Sequence, residues 1–254
     1  MHTPRPIRSF VLRAGRTTIA QQRALSELWP TYGLDFGATA WDLDGIFGRR
    51  APRCLEIGFG SGEVIGNLAE THAHIDYLGV EVHRAGVGRL LLHADRLRLS
   101  NLRVICHDAV EVLRDGFADA TFDEILVFFP DPWHKKRHHK RRLIEPRFVA
   151  CLTAKLKAGG VLRLATDWQA YAEQMLAVCN AAAGLESLSA DGTYVPLPEF
   201  RPATRFEKRG ARLGLGVWDL AYARRTAGIA ALGETAAKSV DDELHGEGGQ
   251  HHAG

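Results

Sequence analysis

Carboxylates and glycines recur where apolar runs end: Glu56 with Gly58, Gly60 and Gly62, then Glu81, Asp108, Asp131 and Asp167. A carboxylate in such a place can accept bonds from hydroxyl or amino groups or offset positive charge, and a glycine loop lets backbone approach a ligand closely. Asp131 is the most constrained of these acids. Pro130 and Pro132 each fix their own φ, and Pro132 also drives Asp131 out of the helical region, so its carboxylate is held rather than left on a floppy loop. Immediately after Trp133 and His134 comes a run of cations and histidines, from Lys135 through Arg142. A rigid acid suits chemistry, and a cationic run suits a polyanion.

The elements that must position these groups follow from the hydropathy pattern. From residue 53 the chain alternates short apolar runs with amphipathic ones, which predicts βα units and an open, mostly parallel sheet. Strands are expected at 54–57, 75–82, 102–106, 122–129 and 160–165, with closing strands at 185–189 and 217–223. Helices are expected at 63–71, 84–99, 140–156 and 169–183, with a short helical return at 108–113. Such sheets bind ligands beyond the carboxyl ends of their strands, where strand order reverses. The glycine loop and the acids at 81, 108, 131 and 167 all fall on that rim. Residues 1–50 read as a basic extension with one helix near 18–28, either covering the core or touching a partner. Residues 51–225 read as the catalytic domain and 226–254 as an acidic, disordered tail.

The rim narrows the ligand. The spacing G-x-G-x-G lacks the third glycine of the dinucleotide fingerprint, so the loop alone decides little. Glu81, at the end of the second strand, can accept both hydroxyls of a ribose, and Asp108 is placed to meet an adenine amino group. A nicotinamide dinucleotide and S-adenosylmethionine both fit an adenosine site. A pyrophosphate wants amides and cations, whereas a sulfonium with an amino-acid tail prefers nearby carboxylates. Glu56 and Asp131 make the rim acidic, which favours the sulfonium.

Composition bounds the rest. At 254 residues, 46% hydrophobic and 24% charged, the chain is an ordinary globular one. It has no apolar run long enough to span a bilayer and no secretory leader pattern, so no membrane association and a cytoplasmic location are expected. Cys54, Cys106, Cys151 and Cys179 form no C-x-x-C pair and read as reduced core residues. No metal site is expected, because His134, His138 and His139 lie among cations. The net charge of +2 conceals an acidic tail, and three basic stretches, 5–23, 135–142 and 201–212, point to a nucleic acid. A basic apron around an acidic pocket suits folded RNA better than duplex DNA.

These motifs resemble the bacterial tRNA (guanine-N7)-methyltransferases of the TrmB type. The resemblance rests on Ile7 to Arg16, Leu55 to Gly62, Gly79-Val80-Glu81-Val82-His83, His107 to Val110, Phe128 to Arg142, Ala165-Thr166-Asp167-Trp168, Thr204 to Gly210 and Gly216 to Leu220. It implies an α/β, Rossmann-like class I methyltransferase fold with a mostly parallel seven-stranded sheet and helices on both faces. It further implies that Glu56, Glu81, Asp108 and Asp131 contact S-adenosylmethionine, alongside the loop of Gly58, Gly60 and Gly62, with Asp131 also the catalytic position. Lys135, Asp167, Thr204, Arg205, Phe206 and Glu207 would contact tRNA, and Arg137, His138, His139, Lys140, Arg141 and Arg142 would form an RNA-interaction segment. No obligate protein partner is implied. Ser61, Arg205 and Leu215 stand where methionine, lysine and histidine are frequent in the family. The reaction implied is methyl transfer to N7 of a variable-loop guanine. Trp133 is expected either to stack on a base or to brace its loop. An exocyclic-amine methyltransferase is the nearest alternative, but such enzymes resemble D/N-P-P-Y/F where this chain has Pro-Asp-Pro-Trp; a non-catalytic RNA-binding protein on the same fold and a dehydrogenase are the others.

Overall fold

The computed structural model describes residues 8–10, 17–37, 39–201 and 216–226. Thr204, Arg205, Phe206, Glu207 and Leu215, and the tail expected to be disordered, lie outside the described residues.

The expected βα alternation folds into one sheet. Its strands are β1 (Arg53–Ile57), β2 (Asp76–Val80), β3 (Leu102–Ile105), β4 (Phe122–Phe128), β5 (Leu156–Thr166), β6 (Leu185–Ser187) and β7 (Trp218–Arg224). Their order is β3-β2-β1-β4-β5-β7-β6. The pairs among β1 to β5 are parallel, whereas β7 runs antiparallel to both β5 and β6. This is the mostly parallel, seven-stranded, Rossmann-like sheet expected. Strand order reverses between β1 and β4, which places the ligand crevice between the glycine loop and the Pro-Asp-Pro turn.

The helices are α1 (Ile19–Glu27), α2 (Trp29–Tyr32), α3 (Leu43–Phe47), α4 (Glu63–Thr71), α5 (Arg84–Leu97), α6 (Ala109–Glu111), α7 (Pro146–Lys155) and α8 (Gln169–Asn180). Side chains alternate between the two faces of a strand, so each strand feeds two cores. Leu55 and Ile57 of β1 join Phe148, Leu152, Tyr171 and Met175 of α7 and α8 on one face. Cys54 joins Ile65 of α4, Leu90 and Leu91 of α5 and Ala24 of α1 on the other. Burial on both faces explains why these strands read as continuous apolar runs. Among the described residues no helix is long and apolar enough to cross a membrane.

Proline sets two helix starts that the hydropathy pattern did not give. The helix expected from Lys140 starts instead at Pro146, preceded by a 3-10 segment, Lys136–Arg141. Pro146 needs no N–H partner in the first turn and forces Glu145 into an extended conformation (φ −127°, ψ 159°), so the helix cannot begin earlier. Pro30, which reads as a stop, sits in the first turn of α2 and begins a new helix. The strand expected from Gly160 reaches back to Leu156, which pairs with Phe122 across a register shift.

Residues 17–50 cover the core. Ala24, Tyr32 and Leu43 are buried, the Tyr32 hydroxyl donates to the Ala94 carbonyl at 3.3 Å, and Gly33 bridges to Val104 beside β3.

Candidate active site

At the reversal point a cleft of about 250 Å³ is lined by Ile57, Gly58 and Gly60 after β1, Val80 to His83 after β2, His107 and Ala109 after β3, and Phe128 to Asp131 after β4. Ser9 and Phe10 complete its rim. Gly58 and Gly60 have φ of 71° and 56°, and a Cβ on either would meet nothing within 4 Å. The backbone there is bare and open, a cradle into which a ligand can come close. Gly62 has another duty: it caps α4, and a Cβ there would lie 2.8 Å from Leu90.

The two acids on the β1–β2 side are locked by main chain. One Glu81 oxygen accepts from Gly60 N–H at 2.9 Å, and the other accepts from Val82 N–H at 2.6 Å and His83 N–H at 2.9 Å. A carboxylate has about four acceptor sites, so Glu81 can bolt the glycine loop to β2 and still take a ribose hydroxyl. Glu56 is 3% exposed and lies outside the cleft wall. It accepts from Ile65 N–H at the start of α4, while burial, and secondarily the charge of Glu81, push its carboxyl up to about 8. Its Oε2 has no hydrogen-bond partner among the described residues. A buried acceptor left unmade is costly, and a donor supplied by a cationic ligand would relieve it. The open glycine cradle, the orphaned Glu56 oxygen and the acidic lining therefore fit a ligand that combines adenosine, a sulfonium and an ammonium.

The β4 side is built differently. Phe129 and Trp133, on either side of Pro130-Asp131-Pro132, adopt φ of 52° and 49°. Left-handed backbone at bulky residues costs about 1–3 kcal/mol each and persists only where the surroundings enforce it. The surroundings do: Phe129 N–H donates to Ala165 on β5 at 2.8 Å, and Arg142 Nε donates to the Pro132 carbonyl at 2.9 Å. Trp133 Nε1 donates to the Ser9 carbonyl at 3.0 Å. Arg201, 1% exposed, grips Asp219 of β7 through both carboxylate oxygens and lies 5.4 and 5.2 Å over the Phe128 and Phe129 rings. On this frame Asp131 is exposed to the cleft. Asp167, just past the end of β5, is half-buried. Neither carboxylate has a protein partner among the described residues.

Asp108 lies outside this lining. Its side chain caps α6 by accepting from Val110 N–H at 2.9 Å, and it lines a second cleft with Arg8, Glu111, Arg114, Lys140 and Arg147. Its neighbour His107 lines the first cleft, stacked on Phe36 (ring centroids 4.1 Å, 18°) and bonded to Glu111 at 2.5 Å. Sequence reasoning passed over His107, Ser9 and Phe10; only the position of His107 after β3 could have flagged it.

The basic segment divides. Lys135, Lys136, Arg137 and Lys140 are exposed, and His138 and His139 partly so. Partial burial and the neighbouring cations Arg137, Arg141, Lys135 and Lys140 hold His138 below the ordinary imidazole range. Arg141 stacks 4.2 Å over Trp133 and donates to the Arg8 carbonyl at 3.1 Å, so Trp133 braces the loop. Arg142 departs from the expected RNA-facing role: it is 4% exposed and bonds Pro132, Ala170 and Gln174 above the Tyr171 ring. Arg201 likewise turns inward from the third basic stretch. Both were drawn inside by fixed carbonyl and carboxylate acceptors and aromatic faces, which their side chains reach only in the folded chain.

Residues 50–220 match a protein family described as "Putative methyltransferase". A tRNA (guanine-N(7)-)-methyltransferase of Ectopseudomonas mendocina is 55% identical over 221 residues, covering 87% of this chain and 93% of that relative. The protein of the same name from Pseudomonas aeruginosa is 54% identical over 220 residues, covering 87% and 90%. Among solved structures, the aminoglycoside resistance methyltransferase NpmB1 aligns with TM-score 0.51 at 16% identity, covering 74% of this chain and 95% of that one. The 16S rRNA methyltransferase KamB aligns with TM-score 0.52 at 14% identity, covering 85% and 97%. Those two establish the fold alone. With strand order, glycine cradle and acidic rim in place, the near relatives decide the family: the chain belongs to the tRNA (guanine-N(7)-)-methyltransferases.

Proposed function

We propose that this protein transfers a methyl group from S-adenosylmethionine to N7 of a guanine in the variable loop of tRNA, forming 7-methylguanosine in the cytoplasm. Family membership supports the reaction, and one observation carries the assignment of the site: Asp131, without a partner among the described residues and held on strained backbone, lines the cleft at the strand-order reversal.

When bound, S-adenosylmethionine supplies an electrophilic methyl on a sulfonium. The residues of this chain bind, align and neutralise. Glu81, pre-bonded by three main-chain N–H groups, presents fixed acceptors to the ribose. Gly58 and Gly60 allow close backbone approach, and Glu56 offers its free oxygen to the amino-acid ammonium. Asp108 stands near the adenine end, beside His107. Guanine N7 carries a lone pair and no proton, so no strong base is required. Alignment and electrostatics contribute most, about 7–11 kcal/mol in well-oriented reactions. Asp131 accepts from the imino and amino edge of the guanine and offsets the charge that develops there, and Asp167 holds the same base from β5. Lys135 and the exposed cations Lys136, Arg137 and Lys140 take tRNA phosphates, and Thr204, Arg205, Phe206 and Glu207 contact the tRNA substrate.

Incubating the purified protein with methyl-labelled S-adenosylmethionine and unmodified tRNA, then identifying the labelled nucleoside, tests the proposal. Labelled 7-methylguanosine is expected; label in an exocyclic-amine nucleoside, or no transfer at all, would overturn it.

A further inference from the structure

The two tryptophans beside the site have opposite surroundings. Trp133 is fully engaged, with Arg141 over its ring and its indole N–H on Ser9. Trp168 is 39% exposed and is the single aromatic among the large apolar side chains left exposed in the described residues. Its backbone is rigid: its carbonyl accepts from Tyr171 and Ala172 N–H at 2.9 and 3.0 Å, and its N–H donates to the Thr166 hydroxyl at 3.3 Å. The ring meets His134 at 4.2 Å and 73°. Phe128 of β4 pairs with Ala165 of β5, so the loops carrying Asp131 and Asp167 spring from adjacent strands, and the His134–Trp168 contact ties them together.

Position completes the picture. The cofactor cleft is walled by the ends of β1, β2, β3 and β4, and Trp168 takes no part in that wall. It stands on the β5 side, next to Asp167, where the methyl acceptor must approach. We propose that Trp168 stacks on the guanine being methylated and favours its cationic form. This rests on the reaction proposed above. In that reaction the carbon–sulfur bond breaks with its electron pair remaining on sulfur, the N7 lone pair forms the new carbon–nitrogen bond, and no proton moves. The positive charge passes from sulfonium to guanine. An indole face stacks on any base, but its quadrupole attracts a cation more strongly, so the contact tightens as the methyl is transferred.

The test compares wild-type protein with Trp168→Phe and Trp168→Leu by single-turnover methylation of tRNA, by S-adenosylmethionine affinity, and by affinity for 7-methylguanosine 5′-monophosphate against guanosine 5′-monophosphate. Trp168→Leu is expected to slow methyl transfer about tenfold or more, the typical worth of one base–aromatic stack. Trp168→Phe should recover part of that loss, with cofactor affinity within about twofold of wild type. Wild type should prefer the methylated nucleotide, and Trp168→Leu should lose the preference. Unchanged rate and preference in Trp168→Leu overturn the stacking role, as does a rate loss matched by lost cofactor affinity. A wild-type protein that does not methylate tRNA guanine overturns the parent reading instead.

Discussion

The two ends of this sheet's ligand rim treat carboxylates in opposite ways. On the β1–β2 side Glu56 and Glu81 are buried, and backbone N–H groups hold them in place. On the β4–β5 side Asp131 and Asp167 accept no bond among the described residues, and the stiffness lies in the backbone, with left-handed Phe129 and Trp133 pinned by Arg142, Arg201 and Ser9. The difference separates binding from chemistry. An acid that recognises a fixed ligand gains from being pre-bonded, whereas an acid that must strengthen its interaction as charge develops keeps its lone pairs for the substrate.

The sharpest way to break this comparison is Asp131→Ala. A loss of about 10²–10³ in single-turnover rate is expected, the range for removing one transition-state-stabilising group, with S-adenosylmethionine affinity little changed. A loss of affinity without loss of rate would put Asp131 with the pre-bonded acids. Glu81→Ala should do the reverse: it strands the N–H groups of Gly60, Val82 and His83, which costs about 1–3 kcal/mol for each donor that water does not recapture. Urea unfolding and cofactor titration together should register that loss.

The divided basic segment gives a paired prediction. Replacing Lys136 and Arg137 by Gln should flatten the slope of log tRNA affinity against log salt by about two units and leave the melting temperature alone. Arg142→Met should lower stability by about 1–3 kcal/mol through the carbonyls it leaves unpaired, with little change in salt slope. If Arg142→Met changed the slope as the exposed cations do, the inward assignment would fall.

The pre-bonded side also carries a pH dependence. In the unfolded chain Glu56 has its ordinary value of 4.5, whereas in the fold it titrates at about 8. The folded state therefore binds the proton more tightly. That contribution is complete below the unfolded value and is lost as pH rises through the window to about 8. Glu56→Gln should flatten the decline in melting temperature across that window; an unchanged pH profile would show that Glu56 is already ionised at neutral pH.

Much of this was legible in the linear chain. The short apolar runs around Leu55-Ile57 and Leu78-Val80, each closed by a glycine or an acid, specified parallel strands, because burial and backbone geometry act through local pattern. The prolines around Asp131 announced a rigid acid for the same local reason. The 3-10 segment at Lys136–Arg141 was hidden because its cations pattern like the helix that follows, and Pro146 alone marks the true start.

The destinations of individual side chains were a different matter. Arg142 and its neighbour Arg141 read alike in sequence, yet one lies buried over Tyr171 and the other lies on Trp133. Arg201 finds Asp219 across a separation that no local pattern spans. Trp133 and Trp168 both follow a strand-end acid, and only packing shows that the first is occupied and the second open. By itself, then, the sequence determined the fold class and the family, which depend on residue type and spacing. Which cations face outward, which carboxylates are already bonded and which aromatic is free to stack were decided only by the tertiary structure, because each depends on partners that meet when distant segments pack together.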